Sequence, residues 1–363
     1  MSKLIGSLVA AACFCGVAAL LVGGCPAGGS GSGTTGQQGP EGPMGAMGLP
    51  GAPGVDGSLR IYGNGSAGAE VIAINESWLS GANPPVNIQF SDFTVNAGVT
   101  LNVPSGTVVR CTGTFTNNGT ILVSTGAVGS KRSAYNNTMY ENLMTSSHPG
   151  VTRQSAASAA VGTGASAIQG GPGGEGLQPL QARLLVLPGT YGGGGGGSAL
   201  GFGGQGGGSF VVIAQGAIAN GGAINANGIG AGGTFLGGGG GGGIVVLASK
   251  TSIDNGGTIT ANGGPGSGGV ANSLASGGGG GGIIHFLAPT INAGATSVLG
   301  GTKGTTGVNL SGNLRSAGAG GGGCGGNGGN GDSTSDGTTP IGNQQDGLLG
   351  QVLSTPVDPT SLF

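Results

Sequence analysis

The chain has 363 residues, of which 94 are glycine, and only 6% are charged. Ten basic and twelve acidic side chains give a net charge of −2, with no basic stripe to follow a phosphate backbone, so nucleic acid is not expected as a partner. So little charge also argues against charge-driven disorder, and so much glycine against long helices.

In chain order, the first element is a leader. Lys3 supplies one positive charge, Leu4 to Val22 is apolar, and Gly23 and Gly24 stand directly before Cys25. This Leu-Val-Gly-Gly-Cys run resembles the bacterial lipobox. The resemblance implies cleavage before Cys25, acylation of that cysteine and a lipid-anchored place in the bacterial cell envelope, at the outer membrane or cell surface. An uncleaved apolar span and an ordinary signal peptide are the alternatives. Residues 1–24 are thus read as a signal peptide and 25–32 as a Gly/Ser linker.

Glycine then recurs at every third position: Gly33, Gly36, Gly39, Gly42, Gly45, Gly48, Gly51, Gly54 and Gly57. Pro40, Pro43, Pro50 and Pro53 fill positions between them. Only glycine fits at the axis of three polyproline-II chains, so residues 33–58 are expected to form a collagen-type triple helix, which makes the protein a homotrimer.

From residue 59 to 300 the pattern changes to short β-branched runs between polar turns. Val71–Ile74, Val86–Phe90, Val99–Val103, Val108–Cys111, Ile121–Val123, Phe210–Ala214, Ile244–Ala248 and Ile283–Ala288 read as strands. An Asn-x-Gly corner recurs at Asn96, Asn117, Asn220, Asn255 and Asn292, each followed by a small β-favouring stretch. The first two corners are 21 residues apart, one coil of a solenoid; the last three are 35 and 37 apart, one coil plus a glycine-rich excursion. The fold class is therefore all-β: a right-handed parallel β-helix or β-solenoid head with polyglycine loops, preceded by the stalk. Val211–Ile213, Val245–Leu247 and Ile284–Leu287 are expected to stack in register into one continuous core. The glycine runs at Gly237–Gly243, Gly277–Gly282 and Gly320–Gly323 are either flexible loops or polyglycine helices bonded side by side. Residues 301–363 form a glycine-rich C-terminal region.

The stretch YGNGSAG at 62–68, followed by FTVNAGVTLN and GTFTNNGTI, resembles a module of bacterial surface and phage tail proteins. That resemblance implies a structural or adhesive head, with surface glycans as candidate ligands and a phage-fibre-like receptor-binding role as the alternative. Asn64 and Ala67 stand where acidic residues are usual, which weakens cation binding at that turn.

Chemistry-bearing residues are few. With Cys13 and Cys15 in the leader, Cys111 and Cys324 permit one disulfide, with two free thiols as the equal alternative. His148 and His285 stand alone, so neither a metal site nor a cofactor is expected. Asp332 and Asp336 only approach a calcium-binding repeat, and read better as a solvated acidic loop. The glycine spacing at Gly63, Gly65 and Gly68 precedes a strand rather than the helix that dinucleotide binding requires. Polysaccharide cleavage needs converging carboxylates. Between Asp92 and Asp254 only Glu141 and Glu175 are acidic, both inside the long excursion from Thr125 to Gly208, so no enzyme is expected.

Overall fold

A computed structural model describes residues 61–79, 85–125, 203–231, 237–268, 274–307, 320–332 and 339–362, plus a separate parallel pair of two-residue strands. Cys25, the stalk glycines and most of the long excursion, including His148, Glu141 and Glu175, lie outside the described residues. The strands are β1 Glu70–Ile72, β2 Glu76–Ser77, β3 Gln89–Phe90, β4 Phe93–Val95, β5 Thr100–Val103, β6 Thr107–Cys111, β7 Phe115–Asn117 and β8 Thr120–Val123. The separate pair is β9 Gln154–Ser155 and β10 Tyr191–Gly192. There follow β11 Ser209–Ala214, β12 Ile218–Asn220, β13 Ala223–Asn225, β14 Ile244–Ser249, β15 Ser252–Asn255 and β16 Thr258–Thr260. The last are β17 Ile283–Leu287, β18 Thr290–Asn292, β19 Ala295–Ser297 and β20 Gln351–Thr355.

Apart from that pair, the strands form three parallel sheets of six: β1-β4-β7-β12-β15-β18, β2-β5-β8-β13-β16-β19 and β3-β6-β11-β14-β17-β20. The chain visits the first, second and third sheet in turn, six times over. That is a parallel β-solenoid. In coils three to six the excursion leaves at one corner, between the second sheet and the third. The solenoid runs past the boundary read at residue 300, because β20 pairs with β17 as the sixth strand of the third sheet.

Burial differs among the sheets. The first two alternate, as in β4 (Phe93 and Val95 buried around Thr94) and β5. The third is buried on both faces in β11, β14 and β17, which explains the unbroken runs FVVIA, IVVLA and IIHFL. The three runs pair, the first one residue out of step with the expected ranges: Val211 pairs with Val246 and Val246 with His285, while Val212 pairs with Leu247 and Leu247 with Phe286. The single core does not form. Val212, Leu247 and Phe286 face the inside of the coil, whereas Val211 and Val246 pack in a second cluster with Ile61, Tyr62 and Cys324.

Inside the coil, like residues stack on like. Phe93 and Phe115 lie parallel with centroids 5.5 Å apart, and Ile218, Ile253 and Ile291 continue their row. Trp78, edge-on to Phe93 at 5.8 Å, packs among the first coils. Each fully buried aliphatic side chain contributes roughly 1.5–3 kcal/mol.

At the corner from the first to the second sheet, three buried asparagines form a ladder. Asn117 Nδ2 donates to Asn220 Oδ1 at 2.7 Å, Asn220 Nδ2 to Asn255 Oδ1 at 2.6 Å, and Asn255 Nδ2 to the Ala293 carbonyl at 2.6 Å. The five corners are therefore not equivalent. Val95, not Asn96, aligns with Asn117, and Asn292 aligns with Asp254. Those two outer corners turn instead on glycines with positive φ, Gly98 at 77° and Gly294 at 52°.

The excursions are ordered wherever they are described. Gly239 and Gly242 donate to Gly277 O and Gly280 O, while Gly240 and Gly243 donate to Ile229 O and Ala226 O. From the next run, Gly278 and Gly281 donate to Gln345 O and Leu348 O, and Gly279 and Gly282 to Gly264 O and Ala261 O. Partners recur every third residue and point in different directions, as three-residue-per-turn helices without internal hydrogen bonds require. The glycine runs are thus a lattice of polyglycine helices satisfying one another's backbones. Glycine is demanded by proximity: a Cβ on Gly241 would overlap the Gly322 carbonyl, and one on Gly239 the Gly264 carbonyl.

Finally, the two ends of the described chain meet. Tyr62 Oη and Thr360 Oγ1 share a 2.6 Å hydrogen bond, and Arg110 Nε donates to Ile61 O at 3.1 Å. Thr360 lies in a short 3-10 turn, Pro359–Leu362.

Candidate functional site

Among the described residues, the outward faces of the first and second sheets are open to a ligand. Along the first, Val71, Thr94, Thr116, Ala219, Asp254 and Asn292 form one row by register. Asn292 Nδ2 donates to Asp254 Oδ1 at 2.7 Å within it. The second carries Thr100, Thr120, Ala223, Thr258 and Ala295. Alternation alone creates these faces, since each inward apolar residue turns its neighbour outward. They offer hydroxyl, amide and methyl groups in repeating rows. Trp78, Phe90, Phe93, Phe115, Phe210 and Phe286 are all buried, so none of these rings is presented there for stacking on a sugar.

Carboxylates are tied into local bonds. Thr114 donates to Asp92 from its backbone N–H at 2.7 Å and its hydroxyl at 2.9 Å, and these bonds hold Asp92 below the usual carboxylate range. Asp332 is not in a solvated loop. It is fully buried and accepts from Thr306 Oγ1 at 3.0 Å, Gly342 N at 2.9 Å and Asn343 N at 3.3 Å, because the glycine strands around it bring unpaired donors inward. It fastens the C-terminal strands of the lattice together, while Asp336 lies outside the described residues. Among the described residues, no group of three His, Cys, Asp or Glu side chains is placed to hold a metal ion.

Cys111 and Cys324 are both buried and free. The disulfide that the sequence permits is not formed, because the third sheet stands between them: Cys111 packs inside the coil and Cys324 against its outer face. Burial pushes the Cys111 thiol up to about 12 and raises that of Cys324 as well, so neither is a thiolate near neutrality.

His285 occupies the outer face of the third sheet in the row of Val211 and Val246. Its Nε2 bonds Thr355 Oγ1 at 2.9 Å, Nδ1 has no partner, and burial lowers its pKa to about 4. It is a neutral core residue. Gly63, Gly65 and Gly68 have φ of 79°, 67° and 77°, and form a turn in which Asn64 Oδ1 accepts from Ser66 N at 3.0 Å.

No helix among the described residues is long and apolar enough to cross a membrane. No family model, curated protein or solved structure matches the chain.

Proposed function

We propose that this chain is a lipid-anchored, trimeric bacterial surface protein with a structural or adhesive head. A right-handed β-solenoid is held away from the membrane by a collagen-type stalk. The observation that carries the reading is the unbroken period of three from Gly33 to Gly57, eight residues after Cys25. At ~3.1 Å per residue that stretch would span roughly 75 Å as a triple helix. The solenoid supports it as a rigid body whose open faces carry small hydroxyl and amide side chains, suited to surface contact with glycans or protein.

Two measurements test it. Cys25→Ala should move the protein from the detergent phase to the aqueous phase and leave the precursor uncleaved, since several acyl chains anchor where a single one binds only marginally. Gly45→Arg should loosen the trimer seen by light scattering. A wild-type chain that is monomeric at high concentration would leave residues 33–57 as an extended linker.

A further inference from the structure

The two ends of the solenoid are built differently. At the start, the outermost strands carry charge, Glu70 in β1 and Glu76 in β2, and Trp78 lies buried beside them. At the other end β18, β19 and β20 are the outermost strands of their sheets, with nothing paired beyond them among the described residues. Their sequences, TIN, ATS and QVLST, contain no charged residue and no proline. Edges left bare in this way lack the usual guards against pairing with another chain. The same end exposes large apolar side chains: Leu299 at 57%, Leu348 at 59%, Leu349 at 66% and Val352 at 40%. Val352 continues the inward row of Val245 and Ile284, so the coil core reaches the surface there half-covered.

We infer that this terminal coil is a self-docking surface, and that its occupant is the terminal coil of a second copy of the chain. Three unpaired edges around an apolar core need a partner of the same cross-section with three edges of its own. The same end of a second copy meets that need, and the three strands carry no charge to set against their counterparts. A two-fold axis through the middle of β20 sets β20 antiparallel to its counterpart and brings the three residues of β18 against the three of the second copy's β19. The contact joins backbone hydrogen bonds to burial of Val352 and its leucine neighbours. Coils follow chain order, so this end is the one farthest along the solenoid from β1. The inference deepens the adhesive reading by naming a second copy as the ligand.

Sedimentation of the full-length chain in detergent, across a concentration series, tests it. Wild type is expected to pass from the stalk-set oligomer to a species of twice that mass, with the backbone amides of Val352 and Ser354, which alternate with those turned to β17, becoming protected from hydrogen exchange as it does so. Val352→Lys, and separately the more exposed Leu349→Lys, should abolish the doubling, the second with thermal melting unchanged. A failed stalk reading shows itself differently, as a monomer that still doubles. The inference is overturned if mass never exceeds the stalk-set oligomer, if both lysine variants still double, or if the Val352 and Ser354 amides are protected at every concentration because the chain's own residues cover them.

Discussion

The β-coil and the glycine lattice are two cores in one molecule, held by opposite means. In the coil, side chains do the packing: Phe93 lies on Phe115, and Leu247 is stacked between Val212 and Phe286. In the lattice there are almost no side chains, and helices such as 237–243 and 277–282 are held by backbone bonds recurring every third residue. The hydrophobic effect dominates the first and contributes little to the second, where hydrogen bonds of about 1 kcal/mol net each must add up. The coil should therefore tolerate a change of shape among apolar residues, and the lattice none that adds a Cβ at a crowded position. In coils three to six one corner connects the two, so the coil and the lattice advance in register.

The largest effect should come from charge inside the coil. Leu247→Asp places an unpaired carboxylate where exposure is zero, and a cost on the order of 5 kcal/mol should remove cooperative melting altogether. The lattice counterpart is Gly241→Val, whose Cβ would overlap the Gly322 carbonyl; a loss of about 3 kcal/mol is expected by denaturant titration. Its control is Gly256→Ala, where a Cβ meets nothing within 4 Å and stability should change by less than about 0.5 kcal/mol. Equal effects from the two glycine changes would mean that the lattice is not packed.

Acid should act through His285. Its pKa falls from 6.5 to about 4 on folding, so between those values the unfolded chain binds a proton that the fold does not. Stability is then full above pH 6.5 and decreases as pH falls, by roughly 3 kcal/mol at pH 4. His285→Leu should flatten that slope in melts followed by circular dichroism. A smaller loss than for Leu247→Asp or Gly241→Val, about 2 kcal/mol, is expected for Asn220→Ala, which leaves Asn117 Nδ2 and Asn255 Oδ1 each without its ladder partner.

How far these features could be read from residues alone follows from their physics. Third-sheet strands are buried on both faces, so they appear as continuous apolar runs. First-sheet strands such as Phe93–Val95, Ile218–Asn220 and Thr290–Asn292 are three residues long with a polar centre or end, which gives too little periodicity to recognise. The asparagines were legible as corners, but their ladder depends on register: shifted by one residue, Asn96 and Asn292 fall out of it. Repeated glycine runs at one point of the coil pointed to stacking. Which run bonds which could not be read, because backbone hydrogen bonds leave no mark in side-chain identity. The sequence permits Cys111 and Cys324 to pair because inside and outside of the third sheet are indistinguishable until its strands are aligned. Asp332 reads as loop for a similar reason, its donors being the Thr306 hydroxyl 26 positions away and the backbone amides of Gly342 and Asn343, 10 and 11 positions away.

The contact between Tyr62 and Thr360 has a mechanical consequence. It joins residues 298 apart and so closes a loop around all six coils. Solenoids ordinarily fray from their ends, one coil at a time. Here tension entering through the chain before Ile61 meets Tyr62 ahead of β1 and is shared with the 3-10 turn beyond β20. Peeling the first coil or the last begins with parting the same clasp, which turns a stack with two loose ends into a body loaded as a ring.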